Sequence, residues 1–282
     1  MADANPTVRQ RQVGARLRQL RIGLGRTVDD VAGEMLCSAT KISRLETGAR
    51  PASLRDVRDL CRIYGVTEQE TQALMSLARQ AREPGWWTQY EDLNLSPYIG
   101  FEQDATAITA FSMYWAPALL QTAEYARAVI TGIARKIDPA VLERRIEVRL
   151  RRQQLLDREE PPRYRALLDE AVLHRQVGGA NVMAGQLGRI LELAQEEKVT
   201  VQVIPFEAGA HASADSNFEL LEFSDTSLPS IVFVEGMYSN LYQERPAEVV
   251  RYREAIEYLR DEALTPRESL NRITNIRKMH AA

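Results

Sequence analysis

The chain has 282 residues, 45% hydrophobic and 27% charged, a composition ordinary for a globular protein of one large or two ordinary domains. No run approaches the ~18 apolar residues of a membrane span, and the N-terminal ADANPTVRQRQ lacks a signal-peptide core, so a cytoplasmic protein without membrane contact is expected. The net charge of −3 conceals an asymmetry, because residues 1–82 carry 14 Lys and Arg against 9 Asp and Glu while the remainder carries 22 against 30, as expected if one end meets nucleic acid.

Val13, Leu17, Leu20 and Leu24 recur at helical spacing and predict a first helix, closed by Gly23 and Gly25. Thr27 reads as the N-cap of a second helix carrying Val28, Val31, Ala32 and Met35, and Leu36-Cys37 as a tight turn. Ser38 then caps a third helix with Ile42 and Leu45 as its buried stripe and Gly48 as a left-handed exit. With that stripe inward, Ala39, Thr40, Ser43 and Arg44 face outward near the N-terminal half, the end a recognition helix presents to base edges. Ser53 caps a fourth helix through Leu54, Val57, Leu60, Cys61 and Tyr64, stopped by Gly65. Thr67 and Glu70 form a capping box for a fifth, running through Leu74, Leu77, Ala78 and Ala81. Cys37 and Cys61 both fall on buried helical positions and read as small hydrophobes, with no disulfide or metal site.

After Arg82 the texture changes. Glu83-Pro84-Gly85 breaks the helix, and Trp86, Trp87, Tyr90, Tyr98 and Phe101 form an aromatic cluster expected to serve as packing. Helices are predicted over 103–113, 122–135 and 139–159, the last with Asp138 as N-cap and Pro139 in the first turn. A strand over 163–168, a short helix at 170–175, a helix over 182–197 and strands over 200–205, 218–223 and 231–235 follow. Two helices, 246–263 and 266–279, end the chain, with a second capping box at Thr265 and Glu268. The expected fold is mainly α with a small sheet (α+β): a five-helix domain over 8–82 and an α+β domain over 83–282.

Catalytic motifs are absent: no H-E-x-x-H, C-x-x-C, G-x-S-x-G, P-loop or G-x-G-x-x-G, and His174, His211 and His280 are far apart. Glu170 and His174, four residues apart on a predicted short helix, are the one pair placed for acid–base work. A hydrogen-bonded or solvated helix face is the preferred reading there. His211, in the loop Gly209-Ala-His-Ala-Ser213, reads as a connector residue. The run Arg144, Arg145, Arg149, Arg151, Arg152 and Arg158 is interleaved with Glu143, Glu147, Asp157 and Glu159, which suits a solvated face or an acidic partner better than DNA. No enzyme activity, cofactor or metal is expected.

Residues 27–48 resemble the helix-turn-helix of the Xre/Cro phage-repressor family, matching at Thr27, Ala32, Ser38, Ile42, Ser43, Arg44, Glu46 and Gly48. They depart at Val28, where the family has a phosphate-contacting Gln, and at Leu36, where it has the turn Gly, implying a slightly different turn. The resemblance implies a lambda-repressor-like domain that binds double-stranded DNA as a homodimer through residues 10–65, on a pseudo-palindromic operator with half-sites ~34 Å apart. Thr40 and Arg44 would meet base edges and Ala39 a thymine methyl. Lys41, Ser43 and Arg50 would position phosphates, and Thr27 and Ser38 complete the DNA-contacting set. Arg21 and Glu46 would form a structural ion pair.

The remainder, through Ala116–Arg127, Arg144–Leu155, Asp169–His174 with Val177-Gly-Gly179, Gln186-Leu187, Val201–Phe206 and Gly209-Ala-His211, is similar to the C-terminal domain of actinobacterial WhiJ-like regulators. That likeness implies a nucleoid-associated regulator modulated by a ligand or by a small protein encoded by a neighbouring gene. The alternative is an antitoxin-like protein that neutralises such a partner and autoregulates its own operon.

Overall fold

The computed structural model of the chain describes residues 7–93, 96–134, 136–212, 216–224, 228–236 and 240–281. The chain divides into two compact units, the first made chiefly of residues up to Asp104 and the second of Ala105–Ser224 and the residues from Pro229 on.

The first unit holds α1 (Val8–Gly23), α2 (Val28–Glu34), α3 (Ala39–Glu46), α4 (Leu54–Ile63) and α5 (Glu68–Gln80), then α6 (Ser96–Asp104). Side-chain oxygens of Thr7, Thr27, Ser38, Ser53 and Thr67 accept from the third residue of the helix each precedes, so every one of α1–α5 starts on a capped N-terminus. The Thr67–Glu70 box expected from the sequence is made by the Thr67 hydroxyl, whereas the Glu70 carboxylate contacts Arg16. Leu17, Val31, Ile42, Leu45, Val57 and Leu60 meet in one core, each at most 1% exposed. Leu24 is not part of it: it is the C-cap of α1 and stands exposed. In the aromatic segment Trp86 packs edge-on against Trp87 and Tyr90. Arg11 of α1 lies over the Phe101 ring of α6, 4.8 Å from its centroid.

The second unit is built on a six-stranded mixed sheet, confirming the α+β class: β1 (Ala107–Ser112), β2 (Arg163–Asp169), β3 (Val199–Ile204), β4 (Phe218–Glu222), β5 (Ile231–Glu235) and β6 (Asn240–Gln243), in the order β3-β2-β1-β4-β5-β6. β1, β2 and β3 run parallel, and β4, β5 and β6 continue antiparallel. The parallel pairs need helical crossovers. α7 (Ala123–Ile133) and α8 (Pro139–Gln153) lie between β1 and β2; α9 (Ala171–His174) and α10 (Ala180–Gln195) lie between β2 and β3. One face of the sheet, with Phe111, Leu167, Ile204, Phe218, Leu220 and Val232, packs on Val249, Ile256 and Leu259 of α11 (Pro246–Glu262). The outer edge of β3 is covered where the chain enters α12 (Pro266–Ala281): Leu264 N–H donates to the Val203 carbonyl and Val203 N–H to the Ser269 hydroxyl, both at 2.9 Å.

Two expectations are corrected. The helix placed over 103–113 is instead the end of α6 followed by β1, which lies between β2 and β4 with both faces buried. A short apolar run buried on both faces carries no alternation to distinguish strand from helix. The edge strand β6, four residues long, was not anticipated.

At the turn between α2 and α3, Leu36 stands where the resemblance has a glycine. Leu36 adopts φ 49°, the left-handed region, with its side chain 94% exposed. A non-glycine residue there costs roughly 1–2 kcal/mol, and this side chain recovers nothing by packing. Leu36→Gly is therefore expected to stabilise the chain by about 0.5–1 kcal/mol after the added unfolded-state entropy, seen as a higher midpoint in thermal unfolding followed by circular dichroism.

Candidate nucleic-acid interface

α3 is anchored at its C-terminal end. Glu46, its last residue, is buried, and its carboxylate accepts from Arg21 Nε at 2.6 Å and from Nη2 at 2.8 Å; Arg21 Nη1 donates to the Arg26 carbonyl at 2.7 Å. One guanidinium thus joins α1, the loop before α2 and the end of α3. A carboxylate at a helix C-terminus opposes the helix dipole, and Arg21 supplies the compensating charge. The Glu46 bond also raises the Arg21 pKa against the burial that lowers it, while burial and Glu46 push the Tyr64 hydroxyl up to about 12.

Close backbone packing fixes the same end. A Cβ on Gly14 would lie 2.6 Å from the carbonyl oxygens of both Leu45 and Glu46, so α1 meets the end of α3 where only glycine fits. Gly48 (φ 73°) takes the left-handed conformation expected of it, where an added Cβ would lie 3.1 Å from the Arg11 backbone nitrogen of α1. Lys41 Nζ bonds Asp56 Oδ1 at 2.5 Å and ties the first turn of α3 to α4. Burial opposes the Asp56 charge, but Lys41 and the Ser53 donors outweigh it and hold the carboxyl below its usual range.

These constraints leave Thr40, Ser43 and Arg44 exposed and Ala39 half-buried, opposite the fully buried Ile42 and Leu45. They form one continuous outward face of α3, from Ala39 in its first turn to Arg44 in its last. Arg50 is exposed just beyond the helix, its N–H bonded to the Arg44 carbonyl at 2.9 Å. Ser38 and Thr27 are exposed N-caps whose oxygens already accept from the Lys41 and Asp30 N–H groups. Next to Thr27, Asp29 and Asp30 put negative charge in the first turn of α2, unfavourable beside phosphate. Two anchors escaped the sequence reading. Gly14 sits inside a helical run without turn context, and Lys41–Asp56 joins residues from two helices.

The titratable cluster of the second unit is built differently. Glu170 is buried at 3% exposure, with Arg272 Nη1 at 2.7 and 2.8 Å from its two oxygens and the Phe206 N–H donating at 3.0 Å. Burial works against its charge, and the Phe206 N–H, Arg272 and His174 together hold its pKa below the ordinary value. His174 approaches it at 3.4 Å while stacking on Phe206. His211 pairs with Asp169 at 3.2 Å, and buried His280 meets the Leu173 carbonyl at 2.9 Å. Glu170 thus ties α12 to the ends of β2 and β3. On α8, Arg152 is buried and Arg149 donates to Gln121 at 2.9 Å, its pKa lowered to about 10 by burial and by Arg152. Part of the arginine run therefore faces inward, where a solvated face was expected. Among the described residues, no group of His, Cys, Asp and Glu is placed to hold a metal ion, and no helix is long and apolar enough to cross a membrane.

Residues 12–74 match a helix-turn-helix domain family, and residues 95–275, more than half of the chain, match a domain of unknown function (DUF5753). No curated protein and no solved structure matches.

The anchoring pair generates a direct test. Its side chains are 11% and 5% exposed, so Glu46→Ala leaves a buried guanidinium without its partner and should destabilise the first unit by about 3–5 kcal/mol. Hydrogen exchange would register this as lost protection of α1 and α3 amides. Arg21→Met with Glu46→Leu should restore much of it, since no charge is then stranded.

Proposed function

Since the chain belongs to the DUF5753 family and carries a helix-turn-helix domain ahead of that region, we propose that it is a sequence-specific transcriptional regulator of Xre type with a WhiJ-like body. The observation carrying this reading is the outward face of α3, with Thr40, Ser43 and Arg44 exposed and Ala39 half-buried, on a helix held at its C-terminal end by Arg21, Glu46 and Gly14. The helix is rigid where it meets its own domain and open where side chains would enter a major groove. It acts as a homodimer on a pseudo-palindromic operator in the cytoplasm, and a ligand or small protein partner on the second unit modulates its affinity.

Within the interface, Arg44 reads a guanine by its paired N–H donors, Thr40 meets a neighbouring base edge, and Ala39 meets a thymine methyl. Ser43 and Arg50 position phosphates, with Thr27 and Ser38 at the groove edges. Lys41 reaches a phosphate only by exchanging Asp56 for it, so its contribution to affinity is smaller than that of Arg50.

The roles separate in binding assays on an operator selected from random duplexes. Arg44→Ala should relax choice at one base pair, reducing discrimination there by roughly 1–3 kcal/mol. Arg50→Ala should weaken operator and scrambled DNA alike and lower the salt slope by about one. Equal loss on both DNAs for Arg44→Ala would contradict its assignment to a base.

A further inference from the structure

At the amino ends of the three parallel strands lies a cleft of about 390 Å³ that the regulator reading leaves unused. That volume is in the range of small-molecule sites. Its floor is a single register row: Arg165 of β2 stands between Thr109 of β1 and Thr200 of β3, so the three side chains leave the same face of the sheet. Arg163 lies two residues earlier on β2, on that same face, and Lys198 and Glu197 line the cleft with Glu222.

The charges here are unevenly satisfied. Glu222 is paired with Arg253 at 2.6 Å, and Lys198 with Asp157 at 2.8 Å and Glu196 at 2.9 Å. The side chains of Arg163 and Arg165, by contrast, make no hydrogen bond or ion pair with any of the described residues, and Arg165 Nε is buried without a partner. Burial, Arg260 and Arg163 together lower the Arg165 pKa, against which Glu257 acts alone. The hydroxyls of Thr109 and Thr200 are likewise unused among the described residues. A half-buried guanidinium flanked by two free hydroxyls is the donor set an oxyanion completes.

We propose that this cleft binds the oxyanion group, phosphate or carboxylate, of a small molecule, with the Arg165 fork as the main ligand, Thr109 and Thr200 donating from either side, and Arg163 adding charge. Arg163, Arg165, Thr109 and Thr200 all stand on adjacent strands, so the site is preformed. Its use as an effector site rests on the regulator reading; anion binding itself does not.

Calorimetric titration of the full chain with inorganic phosphate and, separately, with acetate, at ionic strength matched by sodium chloride, tests this without DNA. Saturable binding of at least one anion is expected, and the anion that binds identifies the chemistry. Arg165→Met should weaken that binding at least ~10-fold, as the loss of a charge-assisted fork requires. Thr200→Val, at an exposed strand position, should weaken it by about 3-fold and serves if Arg165→Met does not fold. No saturable binding of either anion, or unchanged affinity in a folded Arg165→Met or Thr200→Val protein, would overturn the proposal.

Discussion

The buried contact between Arg21 and Glu46 is the constraint on which the first unit depends. Two charges withdrawn from water carry a desolvation penalty, repaid only when geometry is close and the remaining donors are satisfied. Here both carboxylate oxygens are engaged and a third guanidinium nitrogen finds the Arg26 carbonyl. Such a pair adds little net stability compared with apolar residues of the same volume, but it is specific. It fixes one end of α3 against α1 and the loop before α2, and Gly14 lets the backbones meet at that end. The outward face of α3 is thereby left for solvent or for a groove.

The second unit solves another problem. Its three parallel strands need covered faces and a covered edge. α11 packs one face, while Leu264 and Ser269 at the start of α12 hydrogen-bond the outer edge of β3. Glu170 adds a charged tie between α12 and the strand ends. That tie explains why a carboxylate and a histidine at helical spacing sit together in a sequence without catalytic motifs. Glu170, Arg272, Asp169 and His211 engage one another in pairs at the carboxyl ends of the strands, whereas the side chains of Arg163, Arg165, Thr109 and Thr200 at the amino ends have no hydrogen-bond partner among the described residues.

Much of this was legible from the residues. Helix starts were, because Thr27, Ser38, Ser53, Thr67 and Thr265 each precede a helical run by one position and cap it in the structure. The outward face of α3 followed from the Ile42–Leu45 stripe alone. Strand β1 was not legible, since burial on both faces removes its alternation, and neither was β6, whose four residues are too few for a period. Contacts between distant elements were also hidden. Lys41–Asp56, Arg272–Glu170 and the Thr109–Arg165–Thr200 row are consequences of topology, and nothing local in the chain marks them.

The central claim is that the first unit reads a DNA sequence and does more than adhere to phosphates. It is tested most directly by fluorescence anisotropy of the full chain on its own upstream DNA and on a scrambled duplex, at low and near-physiological salt. The account predicts a preference of at least ~10³ for one sequence that survives the higher salt. Equal binding to both duplexes, lost together as salt rises, would contradict it.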